Sequence, residues 1–420
     1  MPTSMISRPA SFPLRQAACL RVLILCTVST AAVAAEHDPN TDVLDTFRPY
    51  VRAEYGYDSN LFRISNDAQA RTQLGTTDTS ETFQRLGAGL DVDWRISRQL
   101  LIARVDVNKT RFDTYKQLDY SGRSALLQWN WLAGKYANGN VGISDARTLA
   151  SFNEVQRPTQ NLLTTRQAYA NAGIKLQLPW QLNLGIVRTV SDNSEPSQRV
   201  LDYNENKYSA GMQYQTGKGT LIEYISQYRE GQYPNRQIVP TAPVDNDYRQ
   251  YDNGVAISWA PSAKTQLKGQ LNYTQREYDD VPQRNFSGAT GRLAAEWLMS
   301  EKTTLGMDIY RDIGVVENNT ASYSLNRGVA MHAKWLPTPK LTFKAQAVRE
   351  RQTYSGDPGF VLTNSTPRED EVTHVQLETQ YQVLRKTRLA LLLQQGERDS
   401  NQALSSYRFH SAFLGVRSEF

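Results

Sequence analysis

The stretch RLAAEWLMSEKTTLGMDIY, residues 292–310, decides the fold. Leu293, Ala295 and Trp297 alternate with Arg292, Ala294 and Glu296; beyond a short polar interruption, Leu305, Met307 and Ile309 alternate with Gly306, Asp308 and Tyr310. Successive side chains of a β-strand point to opposite faces, so this pattern predicts a hairpin with one apolar and one polar face. The apolar face must meet a protein core, water or lipid, and the rest of the chain has to say which.

The same alternation runs from residue 47 to the last residue. It is read in 47–57, 86–96, 100–108, 125–131, 140–144, 168–178, 182–187, 207–214, 220–228, 253–259 and 266–273. After the opening hairpin it returns in 328–335, 341–348, 374–383, 388–394 and 409–420. With the hairpin that makes eighteen strands, or sixteen if weak segments such as 140–144 are discounted. The connections alternate as well. SRQ (97–99), GK (134–135), PWQ (179–181), TGKG (216–219), PSAK (261–264), MSEK (299–302), PTPK (337–340) and LRK (384–386) are short, and polar stretches such as 229–247 and 351–370 lie between them. Short turns on one side and long loops on the other mark a transmembrane antiparallel up-and-down β-barrel. Past Pro49, every proline falls in a connection, as a hydrogen-bonded ladder requires.

Tryptophan answers the opening question. Trp94, Trp131, Trp259, Trp297 and Trp335 each end a strand just before a short turn, on the apolar parity. Rings gathered at one depth form a girdle at a membrane–water interface, here the periplasmic one, so the apolar face is expected to meet lipid.

The N-terminus reads as an export signal. Arg8, Arg15 and Arg21 precede the short apolar run VLILCTVSTAAV (22–33), and AVAAE (32–36) offers cleavage before Ala35 or Glu36. Twelve residues are too few to span a bilayer as a helix. The expected organisation is a signal peptide over 1–35, a periplasmic segment over 36–46 and a barrel over 47–420. Cys19 and Cys26 both lie in the signal, so the mature chain is expected to hold no thiol or disulfide. Without the signal arginines, 44 basic residues face 42 acidic ones, which gives no reason to propose nucleic acid as a partner. A mean hydropathy of −0.55 without a long apolar run excludes a bundle of membrane helices. The expected location is the outer membrane of a Gram-negative bacterium, with its lipid and the barrel-assembly machinery as partners. Phe420, preceded at even spacing by Val416, Leu414 and Ala412, resembles the targeting strand end of such barrels, although Ser418 is polar.

The opposite parity forms the inner wall, with Arg52, Glu54, Asp91, Asp93, Arg95, Arg104, Lys268, Arg292, Glu296 and Lys334 among its charged members and many amides between. Mixed charge selects weakly between ions, and amides can hydrogen-bond sugar hydroxyls, though any water-filled lumen shares this character. Histidines 37, 332, 374 and 410 show no ligand spacing, and His410 and Ser411 are adjacent on a strand and cannot face each other. Asp91 and Asp93, with Arg95 two places on, read as a charge cluster and not as an acid/base pair. No catalytic residue, metal or cofactor is expected. The stretch 58–79 is too long for a tight turn. Its length favours a surface loop, with an inward-folded partial plug as the alternative.

DTFRPYVRAEYGYDSNLFRI (45–64), RLGAGLDVDWRISRQ (85–99) and VDVNKTRFDTYKQLDYSG (105–122) resemble the exopolysaccharide-biosynthesis outer-membrane barrels of the EpsL type, a family associated with exosortase (PEP-CTERM) systems. The signature holds Tyr55 and Tyr57 on the lipid parity and Asp58 and Asn60 on the inner one, where Asp and Asn can anchor the loop entry by side-chain-to-backbone hydrogen bonds. The resemblance implies a part in polysaccharide export, with extracellular polysaccharide and periplasmic export components as partners. The alternatives are a general diffusion porin and a non-conducting assembly protein.

Overall fold

The computed structural model describes residues 46–177, 179–235, 247–279, 282–314, 321, 323–355 and 366–420. The expected signal peptide and residues 36–45 lie outside the described residues, as do 236–246, 315–320 and 356–365 of the long loops.

The described chain forms β1 (Phe47–Asp58), β2 (Glu81–Ile96), β3 (Gln99–Phe112), β4 (Tyr120–Ala133), β5 (Ala137–Leu149) and β6 (Leu162–Lys175). It continues through β7 (Trp180–Asn193), β8 (Tyr203–Gln215), β9 (Leu221–Gln232), β10 (Tyr248–Ser262), β11 (Thr265–Tyr278) and β12 (Phe286–Ser300). The last six are β13 (Thr303–Gly314), β14 (Tyr323–Thr338), β15 (Leu341–Ser355), β16 (Glu369–Leu384), β17 (Thr387–Ser400) and β18 (Tyr407–Glu419). Each pairs antiparallel with its neighbours in the chain, and β1 pairs with β18 from Tyr50↔Glu419 to Asp58↔Ser411. The sheet is therefore a closed barrel of eighteen strands, and every segment of alternating sequence overlaps one of them.

The strand ends differ from the sequence pattern in two ways. Several strands run further toward the long loops: β2 starts at Glu81 and β6 at Leu162. There the outward residues turn polar, as Thr82, Gln84, Thr164 and Arg166 do, so the alternation fades while backbone pairing continues. At the short-turn end, Pro261 and Pro337 belong to the tips of β10 and β14 and not to the turns. Each lies within a break in register, between Trp259 and Ser262 or between Trp335 and Thr338, where no ladder donor is required.

Large apolar side chains cover the outside of the wall all the way round. Val51, Leu127, Ile143, Ile186, Val255, Leu271, Leu293, Met331, Leu377 and Leu414 are all exposed. A soluble monomer does not present so continuous an apolar surface. Lipid accepts it, provided no backbone group is left unpaired, and closure meets that condition. All seven tryptophans sit at the short-turn end, and six of them are 45–49% exposed, which gives them a common environment. Trp129 and Trp180 thereby join the five expected rings. Trp131 is more covered because it lies over Gly139, where a Cβ would come within 2.6 Å of the indole. These features place the protein in the outer membrane of a Gram-negative bacterium, with short turns at the periplasmic side and long loops outside.

The closing seam is reinforced from within. Arg417 on β18 donates to Asp91 on β2 at 2.7 Å across β1, and its guanidinium stacks 3.6 Å from the centre of the Tyr50 ring. Tyr50 in turn lies against Gly89, where a Cβ would fall 2.4 Å from the ring. Both charged side chains are only 8% exposed, and without Arg417 the buried Asp91 keeps, among the described residues, only Arg104, at 3.6 Å. Arg417→Met is expected to destabilise the barrel by about 3 kcal/mol, read as a lower urea midpoint for unfolding from lipid vesicles with an unchanged slope.

Candidate functional site: the barrel lumen

The inner wall is not uniform. Over β1–β3 and β18 it is a lattice of ion pairs. Arg52 meets Asp106 at 2.7 Å, and Tyr50 donates to the same carboxylate at 2.9 Å. Arg85 donates to Glu54 at 2.7 Å. Arg104 reaches Asp93 at 2.5 Å and Asp91 at 3.6 Å, and Arg48 also pairs with Asp93. Asp91 and Asp93 are thus members of a cluster, but their partners come from neighbouring strands. Arg95 stays out of it, exposed and with no carboxylate partner among the described residues. Sequence spacing pointed to Arg95 because strand-to-strand register is invisible in one chain segment.

Over β4–β9 the wall carries amides. Tyr169 donates to Gln128 at 2.5 Å and Gln128 to Asn130 at 2.8 Å. Asn171 donates to Asn140 at 2.9 Å, Gln181 to Asn183 at 2.7 Å, and Asn183 to Glu223 at 2.7 Å. On β13 and β14, Asp308 accepts from Arg292 at 2.9 Å and lies 4.0 Å from His332. Lys268, Glu296 and His332 stand on the inward parity and yet are exposed, so water reaches them from the lumen. Lys334 also faces inward, opposite Lys344. His374 is held against Phe409, and Ser411 bonds Gln394 while His410 points away. No group of three or more His, Cys, Asp or Glu among the described residues is placed to hold a metal ion.

The extracellular mouth is covered on one side. The stretch 58–79 folds inward, contrary to the surface loop its length favoured. Leu61 and Phe62 are buried, and their cluster includes the inward-facing Phe83, Phe112, Tyr120, Leu392 and Phe413. Phe62 sits edge-on to Tyr115 at 4.7 Å and to Phe152 at 4.8 Å. Burying that much aromatic surface outweighs the loop's freedom in solvent. Asp58 and Asn60 hold the entry. The Asn60 N–H donates to Asp58 at 2.9 Å, Asn60 Nδ2 donates to the Ile64 carbonyl at 2.8 Å, and Asn60 Oδ1 accepts from the Ile64 N–H at 2.8 Å. Arg63 pairs with Asp58 at 2.9 Å over the Phe409 ring. The helix α1 (Asp67–Leu74) follows, capped by Asn66 and tied through Gln69 to Gln156 at 2.7 Å.

Gln156 belongs to the loop between β5 and β6, which acts as a strap. Glu154 receives Arg368 at 2.7 Å and Arg398 at 2.5 Å, beside Asp370. Arg398 also donates to the Asn153 carbonyl at 2.8 Å. Arg398 lies on β17, six strands round the wall from β5, so the strap crosses part of the mouth instead of following its rim. Neither strap nor plug was legible in composition. The available signal was apolar residues on the lumenal parity, such as Phe83, Phe112 and Phe413, which a purely water-lined wall would lack.

Of the signature tyrosines, Tyr55 and Tyr57 are exposed on the outside. The Phe420 N–H donates to the Pro49 carbonyl at 2.9 Å, and the Phe420 ring is also exposed.

The fold is a closed, eighteen-stranded outer-membrane β-barrel with a polar inner wall. Residues 247–420 match the family described as "Putative beta-barrel porin 2". No curated protein matches the sequence. Among solved structures, OccK2 (OpdF) of Pseudomonas aeruginosa aligns at 10% identity over 89% of this chain and 98% of its own, with a TM-score of 0.49. OpdQ of the same organism aligns at 11% identity over 89% and 97%, with a TM-score of 0.47. Its siderophore receptor PirA aligns at 9% identity over 90% and 80%, with a TM-score of 0.44. These identities are too low to carry any property of those proteins to this chain. The family match favours the general-porin reading over exopolysaccharide export.

Burial opposes the charge on Glu154, but hydrogen bonds from Arg368 and the nearby charges of both arginines hold its carboxyl below the usual glutamate range. A lowered carboxyl stabilises the docked strap fully above the ordinary glutamate pKa, and that contribution is lost as pH falls through the lowered value. Single-channel recordings are expected to show more frequent steps to higher conductance at acidic pH. Glu154→Gln should show them at neutral pH and abolish the acid response.

Proposed function

We propose that this barrel is a diffusion porin of the outer membrane, passing small polar solutes on the side of the lumen away from the strap. The observation that carries it is the exposure of Lys268, Glu296 and His332 on inward-facing positions, which requires water inside the wall. Paired charges on the β1–β3 side and amides on the β4–β9 side leave little net field, so discrimination between cations and anions should be weak. Amides and hydroxyls can exchange hydrogen bonds with the solute's own hydroxyls, which suits neutral polar molecules as well as ions. The inner wall supplies solvation and a size limit, and no bond-making step is assigned to it.

In planar bilayers the purified protein should give steady, ohmic conductance with cation-to-anion permeability ratios within about threefold of unity. Liposomes containing it should swell in monosaccharides faster than in trisaccharides. Absence of both conductance and swelling would contradict the proposal. A second reading, assistance to polysaccharide export, rests on the signature residues of 45–122; it would gain from polymer trapped in the periplasm after in-frame deletion of the gene.

A further inference from the structure

The outer surface carries a second feature that passage through the lumen does not use. On β3, β5 and β7 the outward apolar rows end abruptly toward the extracellular side. Val107 is followed by Lys109 and Arg111, Ile143 by Asp145 and Arg147, and Ile186 by Arg188. Arg123 on β4 and Arg166 on β6 stand at the same border. Each row holds about eight residues above the turn, roughly 25 Å of strand at about 3.3 Å per residue, so these charges begin where the hydrocarbon of the membrane ends.

Six cations therefore share this face with three carboxylates, of which Asp113 takes the Thr82 hydroxyl. Asp145 binds Arg123 at 2.7 Å and lies 3.5 Å from Arg166, which is also 3.5 Å from Asp192. Lys109, Arg111, Arg147 and Arg188 have no carboxylate partner among the described residues. Arg123 stands directly opposite Arg147 in the β4–β5 register. Like charges in that position repel, and the carboxylate beside them, Asp145, is shared between Arg123 and Arg166.

The rim elsewhere is better balanced. Arg249 pairs with Asp279, Arg349 with Glu371, Arg351 with Glu369, and Arg408 with Glu397. A shorter row of Arg311, Arg327 and Arg351 on β13–β15 repeats the like-charge contact, but there a carboxylate on β16 takes its last member. The excess of unpaired positive charge is on β3–β7.

We propose that this face binds the phosphorylated glycolipid of the outer leaflet, one phosphate lying between Arg123 and Arg147 and others reached by Lys109, Arg111 and Arg188. The occupant follows from charge and depth. The partner must carry multiple anionic groups at the headgroup level and acyl chains that run down the apolar rows beneath them. Guanidinium groups suit phosphate because their donors meet two oxygens at once. Binding there relieves the Arg123–Arg147 repulsion and holds the strands that lead into the strap.

The test is equilibrium binding to the purified, refolded full chain in zwitterionic detergent. The probes are bisphosphorylated lipid A, the same lipid with its phosphates removed, and phosphatidylglycerol. Lipid A should bind saturably and raise the melting temperature, and the dephosphorylated lipid should do neither. Lys109→Gln/Arg147→Gln/Arg188→Gln should weaken lipid A binding on the order of tenfold or more, whereas Arg349→Gln on β15, across the barrel, should leave it unchanged. Equal binding of the dephosphorylated lipid, equal binding of phosphatidylglycerol, or an unaffected triple variant would each overturn the proposal. If the triple variant fails to fold, the wild-type comparison of the three lipids still decides it.

Discussion

In hydrocarbon a peptide N–H or C=O without a partner costs several kcal/mol, and water is not there to supply one. A sheet can enter lipid only if its first and last strands find each other. Here β1 and β18 do so over Tyr50↔Glu419 to Asp58↔Ser411. Everything else follows from that closure. The apolar rows can face outward because no backbone edge is exposed with them, and the polar rows are left to enclose water. The seam also carries a buried ion pair, with Arg417, Asp91 and Tyr50 packed across three strands.

Closure divides the labour between faces and between heights. Outward residues change from aromatic at the periplasmic border to aliphatic at mid-depth and to charged at the extracellular border. Inward residues form two walls, one of compensated ion pairs and one of amides. The covered mouth adds a third feature. Plug and strap fill the sector next to the seam, so the water-reached positions on β11–β14 lie across the lumen from the covered part of the mouth.

How much of this was legible in the sequence depended on the range of the contacts. Alternation is a property of neighbours two residues apart, so Leu293, Ala295 and Trp297 announced a lipid face without help from any other strand. Strand ends were less clear because Thr82 and Gln84 on the outside of β2 are polar above the membrane, where pairing persists but contrast does not. The partners of Asp91 could not be read at all. Arg104 and Arg417 meet it only through register and closure, whereas Arg95, nearer in sequence, does not. The strap is the extreme case: Glu154 and Arg398 are brought together by a chord across the mouth, and nothing local in either segment points to the other. Tyr55 and Tyr57, by contrast, could be placed on the outside from parity alone.

The most direct test of a lipid-facing and a water-facing parity uses cysteine scanning, made convenient because Cys19 and Cys26 both fall within the expected signal peptide. Single cysteines would replace each residue from Arg292 to Trp297 in turn, be spin-labelled in lipid vesicles, and be read by collision with oxygen and with a water-soluble nickel complex. Leu293→Cys, Ala295→Cys and Trp297→Cys should collide with oxygen, and Arg292→Cys, Ala294→Cys and Glu296→Cys with nickel, in strict alternation. Uniform access along the strand, or the opposite parity, would contradict a membrane barrel built this way.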